Sequence, residues 1–209
     1  MGHLTSAGSE AQGRRALGSA RTRAAILSTA RRLFAARPYS AVGVRDIAAE
    51  AAVAVQTIYD SVGGKPQIVM ALLELIEDEA SIPELAPQAM RAEDGLEVVR
   101  LSVHMTRRMN ERCADIIGAV ISGAQAEPRM AELLAEGRRR HRSGFRDVAT
   151  RLQRLGALRS ELSICHAGDA MAALSANESY RLLTGVYNWS FDRAEDWIVA
   201  TIEATVLDA

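Results

Sequence analysis

Five side chains spaced along 21 residues could bind nucleic acid: Arg45, Gln56, Thr57, Tyr59 and Lys65. A guanidinium forks onto guanine O6 and N7, and a carboxamide pairs with adenine N6 and N7. Hydroxyls and an ammonium bond phosphate oxygens, which fixes register without reading sequence. Lys65 is the only lysine among 25 basic residues, a compact point charge in a chain that otherwise uses arginine.

Such donors work only if short elements aim them at one surface. The stretch Val44 to Lys65 reads as two helices, Val44 to Ala51 and Ala54 to Asp60, joined by a sharp corner. Val44, Ile47, Ala48 and Ala51, then Val55, Ile58 and Val62, fall at helical spacing on one face, leaving the donors outward. A bihelical unit with a buried seam and outward donors is the design that lets a second helix enter a DNA major groove.

The elements around it also read as helical. Ile26, Leu27, Ala30, Leu33 and Phe34 draw one apolar stripe on a helix from about Arg21 to Ala36, which Pro38 closes. Gly43 caps the next helix acceptably. Pro66 suits the start of a fourth helix, carrying Ile68, Val69, Leu72, Leu73 and Ile76, that links the two halves of the chain. Ser81 to Arg91, with two prolines, reads as a loop. Leu96, Val99 and Val103 begin a fifth helix, and Ile116, Ile117, Val120 and Ile121 mark a sixth. From Pro128 a long seventh helix carries Met130, Leu134, Gly137, His141, Phe145, Val148, Leu152 and Leu155 at spacings of four and three. The last two helices, about Ala167 to Tyr187 and Arg193 to Val206, are apolar on more than one face. They therefore need a second partner surface, and dimerisation supplies one.

Composition agrees. In 209 residues, 48% are apolar and only 4% aromatic, with five prolines, which favours an all-α chain with a real core. The net charge of −1 hides an asymmetry: residues 1–65 hold nine basic and four acidic groups, and the remainder 16 and 22. A basic N-terminal third (+5) on an acidic body (−6) fits one end meeting phosphate, with chance clustering as the alternative. No long apolar run points to a membrane, and Cys113 and Cys165 show no partner pattern, so a cytoplasmic protein with reduced thiols is expected. Met1 to Ala20, rich in Gly, Ser and Ala, reads as a disordered tail.

The run Ala30–Arg31–Arg32–Leu33–Phe34, then Val44–Arg45–Asp46–Ile47–Ala48, Ala51–Ala52–Val53, Thr57–Ile58–Tyr59 and Lys65, resembles the N-terminal domain of the TetR family of transcriptional regulators. Asp169, Ala173–Leu174, Tyr180, Leu182 and Trp189–Ser190 also look like the C-terminal domain of some members. The resemblance implies about nine helices, with a helix-turn-helix domain at 21–66 and a ligand-binding and dimerisation domain at 67–209. It further implies a homodimer through the last two helices, a double-stranded DNA operator with two-fold symmetry, and a small-molecule effector that lowers DNA affinity. Carried over residue by residue, Thr57, Tyr59 and Lys65 match positions that grip phosphate, while Arg45 and the pair Val55–Gln56 match positions that reach base edges. The chain departs from the pattern at Pro38, Gly43, Ala52, Ala54 and Val62. Loss of a hydroxyl cap costs on the order of 1 kcal/mol, so the second helix of the motif should start weakly.

Candidate effector contacts are His104, Met105, Met109 and Cys113 on one helix and His141 and Phe145 on another, where methionine would give an adaptable wall and histidine a polar contact. The ordinary readings compete with these: core methionine, and a buried histidine bonded to a neighbouring helix. Arg138–Arg139–Arg140–His141–Arg142 looks like a nucleic-acid patch out of context, but it splays round a helix with Glu132 and Glu136 within reach and reads as a solvated or ion-paired face. No metal-ligand spacing, cofactor motif or catalytic set can be assembled. The expected function is a ligand-responsive, non-enzymatic repressor released by a small lipophilic or aromatic effector. The alternatives are a helical carrier or enzyme that has lost operator binding, and a regulator sensing oxidants through Cys113 or Cys165.

Overall fold

The computed structural model describes residues 4–208, and its regular elements there are helical apart from one antiparallel bridge between Leu158 and Leu207. These residues divide into two compact units. One holds the chain up to Glu74 together with Gly118–Ala131, and the other holds Leu75–Ile117 and Glu132–Ala209.

In the first unit, α1 (Leu4–Ala36) ends before Pro38, and a 3-10 turn (Tyr39–Ala41) leads to α2 (Val44–Glu50), α3 (Val55–Ser61) and α4 (Lys65–Leu73). Ile26, Ala30, Leu33 and Phe34 of α1 are buried, as are Ile47 and Ala48 of α2, Ile58 of α3, and Ile68, Val69 and Leu72 of α4. The expected tail is corrected: residues 4–20 continue α1, while 1–3 lie outside the described residues. Ala, Arg and Leu in that stretch favour helix, and no proline stops it, so a packed helix propagates backward. The side chains of 16–20 are all exposed.

The second unit contains α5 (Ile76–Glu79), α6 (Ile82–Arg91), α7 (Gly95–Arg112), α10 (Ile164–Leu174), α11 (Asn177–Tyr180) with a π-helical turn at Arg181–Val186, and α12 (Phe191–Val206). Helices α8 (Ala114–Gly123) and α9 (Pro128–Arg154) each run from one unit into the other. The core of this unit gathers Val98, Val99 and Val103 of α7 with Phe145, Val148 and Leu152 of α9, Met171 of α10, and Ile198 and Ile202 of α12. Gly168 lets α10 meet α9 closely, because a Cβ there would lie 2.9 Å from the Arg146 Cα.

Two further expectations are corrected. Ser81 to Arg91 is mostly helix: Pro83 sits in the first turn, where its missing N–H is harmless. Ile82, Leu85, Ala86 and Ala89 turn inward at helical spacing, whereas Pro83 and Pro87 are exposed. The helix expected over Ala167 to Tyr187 starts at Ile164, capped by Ser163, and breaks at Ala176, whose backbone is extended. Ser179 donates to the Ala173 carbonyl at the break, a local competitor of the helical ladder. Among the described residues these divisions add short helical segments to the long helices expected from the sequence.

Candidate nucleic-acid interface

The corner between α2 and α3 is a complete Schellman turn. Val53 N–H donates to the Ala48 carbonyl (3.0 Å) and Ala52 N–H to the Ala49 carbonyl (3.3 Å), with Ala52 at φ 54°. The start of α2 is held by Asp46, whose carboxylate accepts from Gly43 N–H at 2.8 Å, so the N-cap glycine is compensated three residues on. Nothing similar holds α3: Ala54 supplies no side-chain cap. At its other end, Arg23 of α1 donates to the Ser61 carbonyl (2.9 Å), tying α3 to α1.

Arg45, Val55, Gln56 and Tyr59 are exposed, and Thr57 and Lys65 are half-buried at the edges. Val55, assigned to the apolar seam by spacing, thus lies with the outward group at the first turn of α3. Tyr59 shows 51% of its surface, unusual for an aromatic side chain whose neighbour Ile58 is wholly covered. Two residues are engaged within the chain. Gln56 donates through Nε2 to Asp60 Oδ1 at 2.8 Å, a helical i,i+4 pair legible from the spacing. Lys65 Nζ donates to the Tyr39 carbonyl at 3.0 Å and sits 3.9 Å from the centre of the Tyr39 ring. An ammonium has three N–H groups, so these two contacts do not exhaust its donors.

Two other arginines of this unit are engaged internally: Arg32 pairs with Glu50, and Arg37 lies 3.9 Å from Asp46. The positive charge available at the face is thus narrower than the count of bases indicates. Tyr39, which spacing leaves in a connection, is fully buried, and its partners Ser122 and Glu127 are more than 80 residues away in sequence. No local signal marks them.

The effector candidates do not converge. His104 lines a cleft of about 470 Å³ with Arg100, Leu101, Glu195, Asp196, Val199, Ala200 and Glu203, and none of the other five candidates does. Its Nδ1 lies 2.8 Å from Glu195. Met105 and Met109 are half-buried, and Cys113 is buried with its thiol 3.6 Å from Glu79 Oε2. His141 takes the ordinary role, with Nε2 2.8 Å from the Ala172 carbonyl and its ring edge-on to Phe145, which belongs to the core. The arginine run is ion-paired: Arg138 to Glu178 (2.7 Å), Arg139 and Arg140 to Glu136 (2.6 and 2.9 Å), and Arg142 to Asp169. Among the described residues no helix is long and apolar enough to cross a membrane.

Residues 26–72 match the family model of bacterial regulatory proteins, tetR family. Of solved structures, a transcriptional regulator from Saccharomonospora viridis in complex with choline is 21% identical with a TM-score of 0.72, over 91% of this chain and 100% of that one. The SmeT–triclosan complex is 15% identical with a TM-score of 0.72, over 90% and 92%. The ketosteroid transcriptional regulator KstR2 of Mycobacterium tuberculosis is 17% identical with a TM-score of 0.66, over 90% and 95%. No curated protein matches the chain in sequence. The family match is thus confined to the N-terminal helices, and over the rest of the chain the likeness to these regulators is one of fold.

Proposed function

We propose that this protein is a non-enzymatic, cytoplasmic, ligand-responsive DNA-binding regulator that acts as a homodimeric repressor. The observation that carries the reading is the bare outer face of α3: Val55, Gln56 and Tyr59 stand exposed on a helix whose other side is fully buried through Ile58. In this reading Arg45, Val55 and Gln56 reach base edges, while Thr57, Tyr59 and Lys65 hold phosphates.

The dimer is assigned to the C-terminal helices. Leu182 and Val186 on the π-helical turn, Tyr187 directly after it and Trp197 on α12 are all large, apolar and exposed. A second copy covering them would place two recognition helices on one duplex, which requires a separation of roughly 34–36 Å. An effector that binds better to a dimer with another separation would release the operator. Choline and triclosan, bound by two of the structural relatives, are both small molecules with apolar parts, which supports an effector of that size for this chain.

The test is selection of duplexes from a random pool by the purified protein, followed by affinity over a salt series. A palindromic consensus and a log–log salt slope of several are expected. Failure to enrich any sequence, together with salt-independent binding, would leave the helical-carrier alternative.

A further inference from the structure

Tyr39 makes a contact from every part of its structure. Its N–H donates to Ser122 Oγ (3.3 Å), its hydroxyl donates to Glu127 Oε2 (2.9 Å), and its carbonyl accepts from Lys65 Nζ (3.0 Å). One face of the ring stacks on Phe34, with centroids 5.8 Å apart, and the Lys65 ammonium sits over the ring at 3.9 Å. Gly123 completes the seat, since a Cβ there would lie 3.1 Å from the Tyr39 Cγ. All of these residues belong to the first unit, although Ser122, Gly123 and Glu127 come from the α8–α9 corner.

We infer that Tyr39 is a positioning residue for DNA binding: held by Ser122 and Glu127, it fixes the Lys65 ammonium at the start of α4 where a phosphate meets it. The inference rests on the DNA-binding reading above. A lysine stem has several free torsions, and ordering it on contact with phosphate costs entropy that a preset position avoids. The Tyr39 carbonyl and ring engage two of the ammonium's three donors and leave the third for a phosphate. Glu127, accepting from the phenol, makes the ring more electron-rich and the cation–π contact stronger. Burial, followed by the hydrogen bond to Glu127, drives the phenol ionisation far above its usual range, so the hydroxyl remains a donor at any physiological pH.

Because Lys65 is the only lysine, lysine-selective ¹³C labelling reports this one side chain by NMR without DNA. The Lys65 Cε–Hε signal is expected upfield of a free lysine from the ring current. It should move towards the free position in Tyr39→Phe and Glu127→Ala, and return in Glu127→Gln, which keeps an acceptor. A signal unmoved in both deletions, or Glu127→Gln displaced as far as Glu127→Ala, would overturn the inference. The second arm uses a duplex selected by the wild-type protein. Tyr39→Phe should weaken binding about three- to tenfold, the range that one hydrogen bond's net contribution converts to, and should have no further effect in a Lys65→Met background. Equal losses in both backgrounds would overturn the positioning role while leaving the DNA-binding reading intact. A wild-type protein that selects no duplex would overturn both. Should Tyr39→Phe not fold, Glu127→Ala carries both arms without altering the ring.

Discussion

Substituting Ala52 by glycine should stabilise the protein. Ala52 holds φ 54° at the corner of the helix-turn-helix, where its N–H and that of Val53 close the Schellman turn. An L-residue in this region is destabilised by about 1–2 kcal/mol, because Cβ crowds the following carbonyl. Glycine removes that strain and loses about 0.5–1 kcal/mol through the greater freedom of the unfolded chain. The difference is a net gain of about 0.5–1 kcal/mol, or a rise in Tm of roughly 1–4 °C if the whole chain melts together. Urea unfolding followed by circular dichroism measures it as a higher midpoint at constant slope. Ala49→Gly, at an exposed position in the last turn of α2, is the control and should cost up to about 1 kcal/mol. If Ala52→Gly lowers the midpoint as Ala49→Gly does, the strain argument at this corner is wrong.

Three other outcomes are expected. Asp169 is held at about 2, first by the hydrogen bond from Arg142 and then by the charge of Arg142 and Arg146. Its folded value lies below the unfolded carboxylate's value of about 3.9, so its contribution is present above that pH and lost as pH falls towards 2. Asp169→Asn should flatten the acid limb of the stability curve between pH 4 and 2, and curves of identical shape would refute this. Gln56→Ala should relax sequence preference by about 1–3 kcal/mol at one position per half-site, whereas Tyr59→Phe should weaken all duplexes alike. Comparison of selected consensus sequences separates the two. Val186→Glu places a charge on the most exposed large apolar side chain of the C-terminal region and should shift the mass measured by light scattering from dimer to monomer. An unchanged mass would remove the π-helical turn from the proposed interface.

Much of this protein is legible in its sequence because the signal is local. The stripe Ile26, Ala30, Leu33 and Phe34, the stop at Pro38, and the pairing of Gln56 with Asp60 follow from helical periodicity and from proline's missing N–H. So does the ion-paired nature of the arginine run, part of which lies at i,i+3 and i,i+4 from Glu136. The same local reasoning misjudged Ser81 to Arg91, because it counted prolines without asking which face they occupy. It also missed the break at Ala176, where a serine side chain and not a glycine or proline interrupts the ladder.

Tertiary structure decided what depends on distant residues. His141 and Phe145 share one helical stripe, but the Ala172 carbonyl that His141 meets and the core that Phe145 joins come from segments far away in the chain. The buried seat of Tyr39, built by Ser122, Gly123 and Glu127, has no trace in the sequence around position 39, and it is this seat that sets where Lys65 points. Periodicity determines which side of a helix is covered, because one turn repeats every 3.6 residues. It does not determine what covers that side, because that is chosen by the packing of segments whose separation in the chain carries no local signature.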